Sequence, residues 1–471
     1  MNCRAKLIYV LFAFMPLFSS GLMASVKVYP APPGAILSND YKLTVDGQQV
    51  AVYFAPGRDN LGGNYSFAYF DFSGNASVEI TSAMSLDSTM IRPETKIIEK
   101  SVTGNKLRFS ISSSPCQVSI EPDGINKPLL LFANPPEVNP PKKGDPDVIY
   151  YGPGIHKPGI INLVDNQTLY IAGGAVVKAG VNAVGKNIKI MGRGILDGID
   201  WERAKGPQHY LLMVENSTNV TVQDIIVKDS WLYALMIGGS SNLSINNFKI
   251  IGTRCANEDG IDICNSRQVR IQDCFIRTDD DCIAIKGTGY NAKAVDSVMI
   301  TRCVLWTDVA NNFRIGAESH AEAMQNITAQ DIDIIHLERD QERGSPYSLR
   351  YDFCFTIQPA ENMPMKNLRF ENIRVNWEGQ NNFIECRPYL THWSKPPEGN
   401  IDGVLFKDIV ATGKVRKGQG RVVVSGPSPS HDVKNVTFQN VTWFGECIQQ
   451  DSRDVTISGS ASNIVFDCEK H

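Results

Sequence analysis

Two segments carry the residues that could do chemistry: Asn257-Glu258-Asp259-Gly260-Ile261-Asp262, and Thr278-Asp279-Asp280-Asp281-Cys282-Ile283-Ala284-Ile285-Lys286. Asp259, Asp262, Asp279, Asp280 and Asp281, with Glu258, lie on either side of the apolar segment Val269-Arg270-Ile271. Carboxylates held this close repel, so at least one keeps its proton to a higher pH than usual. One protonated and one ionised carboxyl is the pair that acid–base cleavage of a glycosidic bond requires. The same residue types suit a solvated acidic turn or a calcium loop. A calcium loop wants oxygen ligands at alternate positions, and Asp279, Asp280 and Asp281 are consecutive. No metal or other cofactor is therefore expected.

The elements that position these acids repeat. Short apolar-polar-apolar strands begin near Val220, Leu243, Val269, Val298 and Ile327, at intervals of 23 to 29 residues. The pattern continues at Leu368, Val404 and Val436, with longer intervals where loops are inserted. A period in this range marks a stacked repeat architecture. Leucine at fixed offsets is absent, and propeller blades need about 40 to 50 residues. Frequent Asn at the turns and the lack of amphipathic helical runs point to an all-β fold, a right-handed parallel β-helix. Each repeat then contributes two short strands, and successive coils lie about 4.8 Å apart. Asp259 and Asp280, 21 positions apart, are expected on successive coils and on one face. Asp281 adjoins them, and Asp262 and Asp279 flank them.

The rest of the 471-residue chain frames this region. Residues 1–25 read as a signal peptide, with Arg4 and Lys6 before an apolar stretch from Leu7 to Leu17 and Ala24 before the cut. The expectation is a secreted or periplasmic protein, soluble and free of the membrane once cleaved. Residues 26–133 alternate polar and apolar residues, as in Tyr41 to Val45, with Asp46-Gly47 as a turn. They read as a small antiparallel β-sandwich-like domain, expected to cover one end of the β-helix. Residues 134–147 are a Pro-rich linker, and residues 148–471 form the β-helix. A net charge of −4 with no basic tract argues against nucleic acid as a partner. A monomer is expected. Ten cysteines follow Cys3 without zinc spacing. Most lie in apolar runs and read as buried side chains, and Cys447 with Cys468 is the best candidate for a disulfide.

The segment Asn257 to Asp262, followed by Asp280-Asp281-Cys282 to Lys286, resembles the core signature of glycoside hydrolase family 28, the polygalacturonase-like pectinases. Gly173-Gly174-Ala175-Val176-Val177-Lys178 and Gly192 to Gly198 are also similar to that family. The resemblance spans roughly residues 148 to 450. It implies a right-handed parallel β-helix that hydrolyses α-glycosidic bonds in pectic polysaccharides by a single displacement with inversion. It implies Asp280 as the general acid, and Asp259 and Asp281 as the bases that hold and activate water. Inversion needs the acid and base carboxyls about 6.5 to 9.5 Å apart.

The departures bear on the substrate. Where the family has Gly-His-Gly before Ile-Gly, this chain reads Asn311-Asn312-Phe313-Arg314-Ile315-Gly316, and no Arg-Ile-Lys motif follows. Lys286 and Arg314 are the candidate cations for an acidic sugar, or they balance the aspartates. Asn257 and Asn311 are further candidates for substrate contact. Tyr290 is the aromatic residue best placed to stack on a sugar, and the insertion from Arg387 to Trp393 could rim the groove. Two other readings stay open. One keeps the mechanism on a neutral or sulfated glycan, as in dextranase-like or α-1,3-galactosidase-like families. The other is a non-catalytic β-helix that binds glycans.

Overall fold

The protein is described here by a computed structural model covering residues 25–97, 99–337, 353–377, 382–413 and 420–468. The segment expected as a signal peptide lies outside these residues apart from Ser25. Among the described residues there is no α-helix and no helix long and apolar enough to cross a membrane.

The carboxy-terminal part is a right-handed parallel β-helix whose sheet runs through 29 strands from Val148–Tyr151 to Ala461–Asp467 among the described residues. Val220, Leu243, Val269, Val298, Ile327, Leu368, Val404 and Val436 all fall in one register. Each is buried, so the repeat legible in the sequence is the inward-facing column of one wall. Aromatic side chains stack along the same interior, with Phe370, Phe406, Phe438 and Phe466 at centroid spacings of 5.1, 5.3 and 4.7 Å.

The expectation of two strands per repeat needs correction. A full coil has a third wall, formed by strands such as Tyr233–Gly238, Ile261–Cys264, Ile283–Gly287 and Phe313–Ser319. Leu235, Ile261, Ile283, Phe313 and Phe355 align there. These strands are buried on both faces, so a polar residue between apolar ones, as in Ile261-Asp262-Ile263, does not mark a side in water as it does on the other walls.

One corner is set by asparagine. Asn166, Asn187, Asn219 and Asn242 all take left-handed backbone angles, with φ of 67°, 59°, 61° and 58°. Asn tolerates that region better than other side-chain-bearing residues. Along this column each Nδ2 donates to the Oδ1 one coil earlier, at 2.9, 2.6 and 3.4 Å.

The amino-terminal region is a sandwich of a five-stranded and a six-stranded sheet. Tyr41–Val45 and Gln48–Val50 form a hairpin across Asp46 and Gly47, both at positive φ. One pair departs from the antiparallel expectation: Leu129–Asn134 runs parallel to Tyr65–Ser73. Leu129, Leu131 and Ala133 point into the sandwich core, whereas Leu130 and Phe132 point the other way, into a second core shared with the β-helix. That shared core includes Ile195, Ile226, Ile251, Phe275, Val304 and Ile335. The sandwich therefore lies along the flank of several coils and does not cap an end. Fully burying one such side chain contributes about 1.5 to 3 kcal/mol, so the seam is a substantial hydrophobic interface. Polar pins reinforce it: Arg193 lies between Asp71 and Asp224, at 2.8 Å from each, and donates to the Pro135 carbonyl.

Cys447 and Cys468 form a disulfide. Of the other described cysteines, Cys255 is half-buried and the rest are buried thiols.

Candidate active site

The strand register decides which acids meet. Ile261 pairs with Ile283, and the Gly260 amide donates to the Asp281 carbonyl at 2.8 Å. Asp259 is thus aligned with Asp281, 22 positions on, and Asp280 sits one place earlier, where its amide approaches the Glu258 carbonyl. Asp259 and Asp280 therefore lie on successive coils, one register position apart. Gly260 makes the close approach possible, since a Cβ there would stand 2.3 Å from the Cys282 carbonyl oxygen.

Asp259, Asp280 and Asp281 converge. One carboxylate oxygen from each lies within 4.8 Å of the other two. These nearest oxygens are closer than the 6.5–9.5 Å separation that inversion was expected to need. Asp259 and Asp281 are buried, and Asp280 is half-buried.

Each acid has its own surroundings. Asp281 Oδ1 accepts two hydrogen bonds from Asn311, from the backbone N at 3.0 Å and from Nδ2 at 2.7 Å. Asp280 Oδ1 accepts from the Asp281 amide at 2.9 Å, and its Oδ2 from Asn257 Nδ2 at 3.3 Å. Burial, then the charges of Asp281 and Asp279, push the Asp280 carboxyl up to about 7. Burial also raises Asp259 well above the usual carboxyl range, with Lys286 opposing and its carboxylate neighbours adding to the rise.

Lys286 is engaged within this set. Its Nζ lies 3.0 Å from Asp259 Oδ2 and 2.9 Å from Asp262 Oδ1, with the Tyr233 ring 5.5 Å away. Asp262 is fully buried on the strand Ile261–Cys264, which begins two residues after Asp259. One ammonium against two buried carboxylates removes part of their repulsion.

The remaining substrate-contact candidates fall in different places. Asn257 is at the site, between Asp280 and Arg203, which donates to its Oδ1. Asn311 is buried behind Asp281, and its Oδ1 accepts from Phe353 N and Thr356 Oγ1. It is turned to the carboxylate and the next coil and not to the groove. Arg314 is one coil beyond the aspartates, opposite Ala284, and its Nη2 donates to Gln358 Oε1 at 2.6 Å. Tyr290 packs against Gly238 and Gly239 on a preceding coil, with its hydroxyl donating to Glu215 at 2.6 Å.

Two participants were not legible. Glu258 is buried and ties down the turn before Asp259, accepting from the amides of Arg254 and Cys255 at 2.6 and 3.0 Å. Its place beside Asp259 was visible, but its inward direction was not. Arg58, from the sandwich, reaches Asp279 Oδ1 at 2.7 Å, and nothing in the local sequence at either end signals that pair.

Comparison with known proteins agrees with this architecture. A polygalacturonase of Gossypium barbadense is 27% identical over 232 residues, which is 40% of this chain and 55% of that protein. The chain thus spans about half the length of this relative. Among solved structures, Dex49A from Penicillium minioluteum aligns with 93% of this chain and 96% of its own, at a TM-score of 0.65 and 15% identity. A hyperthermoactive exopolygalacturonase from Thermotoga maritima aligns with 68% of this chain and 83% of its own, at a TM-score of 0.50 and 16% identity. At such identities the two structures speak to the fold alone. The sequence from residue 180 to residue 442, more than half of the chain, matches the family model described as Glycosyl hydrolases family 28, and the protein belongs to that family.

Proposed function

We propose that this protein is a secreted glycoside hydrolase that cleaves α-glycosidic bonds of a pectic polysaccharide with inversion of configuration. The observation that carries the reading is the convergence of Asp259, Asp280 and Asp281 from two adjacent coils. Asp280, held up to about 7, can still carry a proton at neutral pH and protonates the leaving oxygen. Asp281 has its Oδ1 fixed by two Asn311 donors, which orients the carboxylate beside Asp259. Asp259 and Asp281 together hold the attacking water.

The short oxygen spacing is compatible with that role. A water about 2.8 Å from each of two acceptors, at a tetrahedral angle, needs them about 4.6 Å apart. The same three oxygens could instead gather a cation, although Lys286 already supplies a positive charge to Asp259.

A second reading, hydrolysis of a neutral or sulfated glycan, is favoured by one observation. Lys286 is engaged by two carboxylates and Arg314 by Gln358, so an acidic sugar would have to compete for either cation. Secretion rests on the residue pattern of positions 1–25.

The deciding experiment incubates the protein with polygalacturonate, rhamnogalacturonan, dextran and α-galactan oligosaccharides and follows the first products by proton NMR. Inverted anomers from one of these glycans are expected. Retained anomers or unsaturated uronides refute the mechanism, and binding without turnover supports a non-catalytic β-helix. Activity lost in EDTA and restored by a divalent cation would replace the metal-free reading.

A further inference from the structure

The sandwich does more than pack against the β-helix. Its turn at residues 57–63 closes onto the strand end that leads into the site. Gly57 forms a parallel bridge with Thr253, and the Arg58 amide donates to the Thr253 carbonyl at 3.1 Å. The turn folds back on itself, with the amides of Leu61 and Gly63 donating to the Arg58 carbonyl at 2.9 and 3.0 Å. Leu61 is buried. A Cβ at position 57 would stand 2.2 Å from the Gly63 carbonyl oxygen, so only glycine allows this turn. The turn therefore holds Arg58 in one place.

From there the guanidinium reaches a carboxylate that is almost wholly buried. Arg58 Nη1 lies 2.7 Å from Asp279 Oδ1, with side-chain exposures of 33% and 1%. Asp279 immediately precedes Asp280, and Thr278 and Thr307 both donate to the Asp280 carbonyl, at 2.6 and 2.8 Å. The backbone of the acid is thus fastened from the β-helix side, and its neighbour's charge is met from the sandwich side.

We propose that Arg58 is a positioning residue for the acid Asp280: by holding Asp279 it fixes the Asp279–Asp281 turn and offsets the charge beside the acid, making the sandwich a working part of the site. This inference rests on the reading of Asp280 as the acid. The other charges facing this turn come from the β-helix. Asp281 shares the turn, and Lys286 acts on Asp280 from its own coil. Glu258 and Arg254 approach from the preceding coil. Asp308 lies on the following coil, paired with Arg277. Arg203 reaches Asp280 through Asn257. Among the described residues, Arg58 is the cation that the sandwich brings to Asp279.

The test uses the full chain carrying Arg58→Gln, Arg58→Lys, Asp279→Asn or the pair Arg58→Gln/Asp279→Asn. kcat/KM is measured against pH on the best glycan of the panel, with thermal midpoints at each pH. Without its cation, Asp279 repels a charge on Asp280, so Arg58→Gln should move the alkaline limb up by about 0.5 to 1 pH unit. It should also deepen the loss of stability between pH 5 and 8, because the folded state then takes up more protons. Arg58→Lys should restore most of the limb, and in the Asp279→Asn background Arg58→Gln should no longer shift it. A uniform fall in activity with an unmoved limb, or an equal drop in midpoint at every pH, overturns the proposal. If Arg58→Gln does not fold, Asp279→Asn decides it: it should lower the limb, and an unmoved limb in that variant overturns the proposal. The parent reading fails separately, through turnover by Asp280→Asn.

Discussion

Replacing Asp280 by Asn tests the site through stability as well as through turnover. Burial and the charges of Asp281 and Asp279 hold the Asp280 carboxyl near 7, against an ordinary value of 3.8. At about 1.4 kcal/mol per pH unit, that difference sets a ceiling of about 4 kcal/mol. Asp280 is half-buried, and solvent screening reduces the figure to about 1–2 kcal/mol. The sign follows from linkage. The folded state holds this proton more tightly than the unfolded chain, so the group's contribution is complete below pH 3.8 and is lost as pH rises through 7. Asn has no proton to lose. The Asn variant should therefore match the wild type near pH 4 and become more stable as pH rises, levelling off near pH 8. The gain there is a few degrees in thermal midpoint. Turnover should fall by about 10²–10⁴. Scanning calorimetry from pH 4 to 8, with reducing-end release on the active glycan, measures both. A pH-independent midpoint difference, or a variant less stable at pH 8, would show that Asp280 is not held protonated by its surroundings.

Three further outcomes follow from the same geometry. Asn311→Ala removes the Nδ2 donor to Asp281 and strands the Phe353 amide and the Thr356 hydroxyl; kcat should fall about 10- to 100-fold with KM little changed, and a KM effect alone would make Asn311 a substrate contact. Phe132→Ala opens the seam against Phe275, whose ring centroid is 5.2 Å away; unfolding should cost about 3 kcal/mol less, read by denaturant titration, and a neutral result would mean the interface relaxes around the void. Trp393, 61% exposed at the tip of the 387–393 insertion, should leave the thermal midpoint unmoved when changed to Ala while raising KM for long oligosaccharides about 2- to 10-fold; an equal effect on the shortest substrate would place it outside the groove rim.

How much of this was legible depends on which face of a strand meets what. The column from Val220 to Val436 could be read because one face of each strand meets the apolar interior and the other meets water, which leaves alternation in the sequence. Ile261–Cys264 and Ile283–Gly287 carry the site, yet Asp262 and Lys286 are buried on their outer face, so polar residues there do not mark a face in water. The third wall was missed for that reason. Residue types showed that Lys286 and Arg314 are cations but could not show their partners, which are fixed by coil stacking. For the sandwich, the run Leu129-Leu130-Leu131-Phe132 was the available signal. Its lack of alternation meant burial on two sides, hence a third layer. The Arg58–Asp279 contact joins residues 221 positions apart and left no trace in either segment.

The asparagine corner also bears on how this chain can be decorated. Asn166-Gln167-Thr168, Asn219-Val220-Thr221 and Asn242-Leu243-Ser244 each fit the acceptor tripeptide for N-linked glycans. In the last two the tripeptide arises from the coil itself: a left-handed Asn at the corner, an inward apolar residue, then a hydroxyl-bearing residue. In the folded ladder the Nδ2 atoms of Asn219 and Asn242 are each spent on the preceding coil, and the Oδ1 atoms of Asn166 and Asn219 receive the following one. An oligosaccharide attached before the coil closes would occupy the nitrogen that the ladder uses. Its bulk would also have to fit between corners stacked about 4.8 Å apart. Production in a glycosylating host would therefore set sugar attachment against coil closure at Asn219 and Asn242, whereas a host without that machinery would leave the ladder intact.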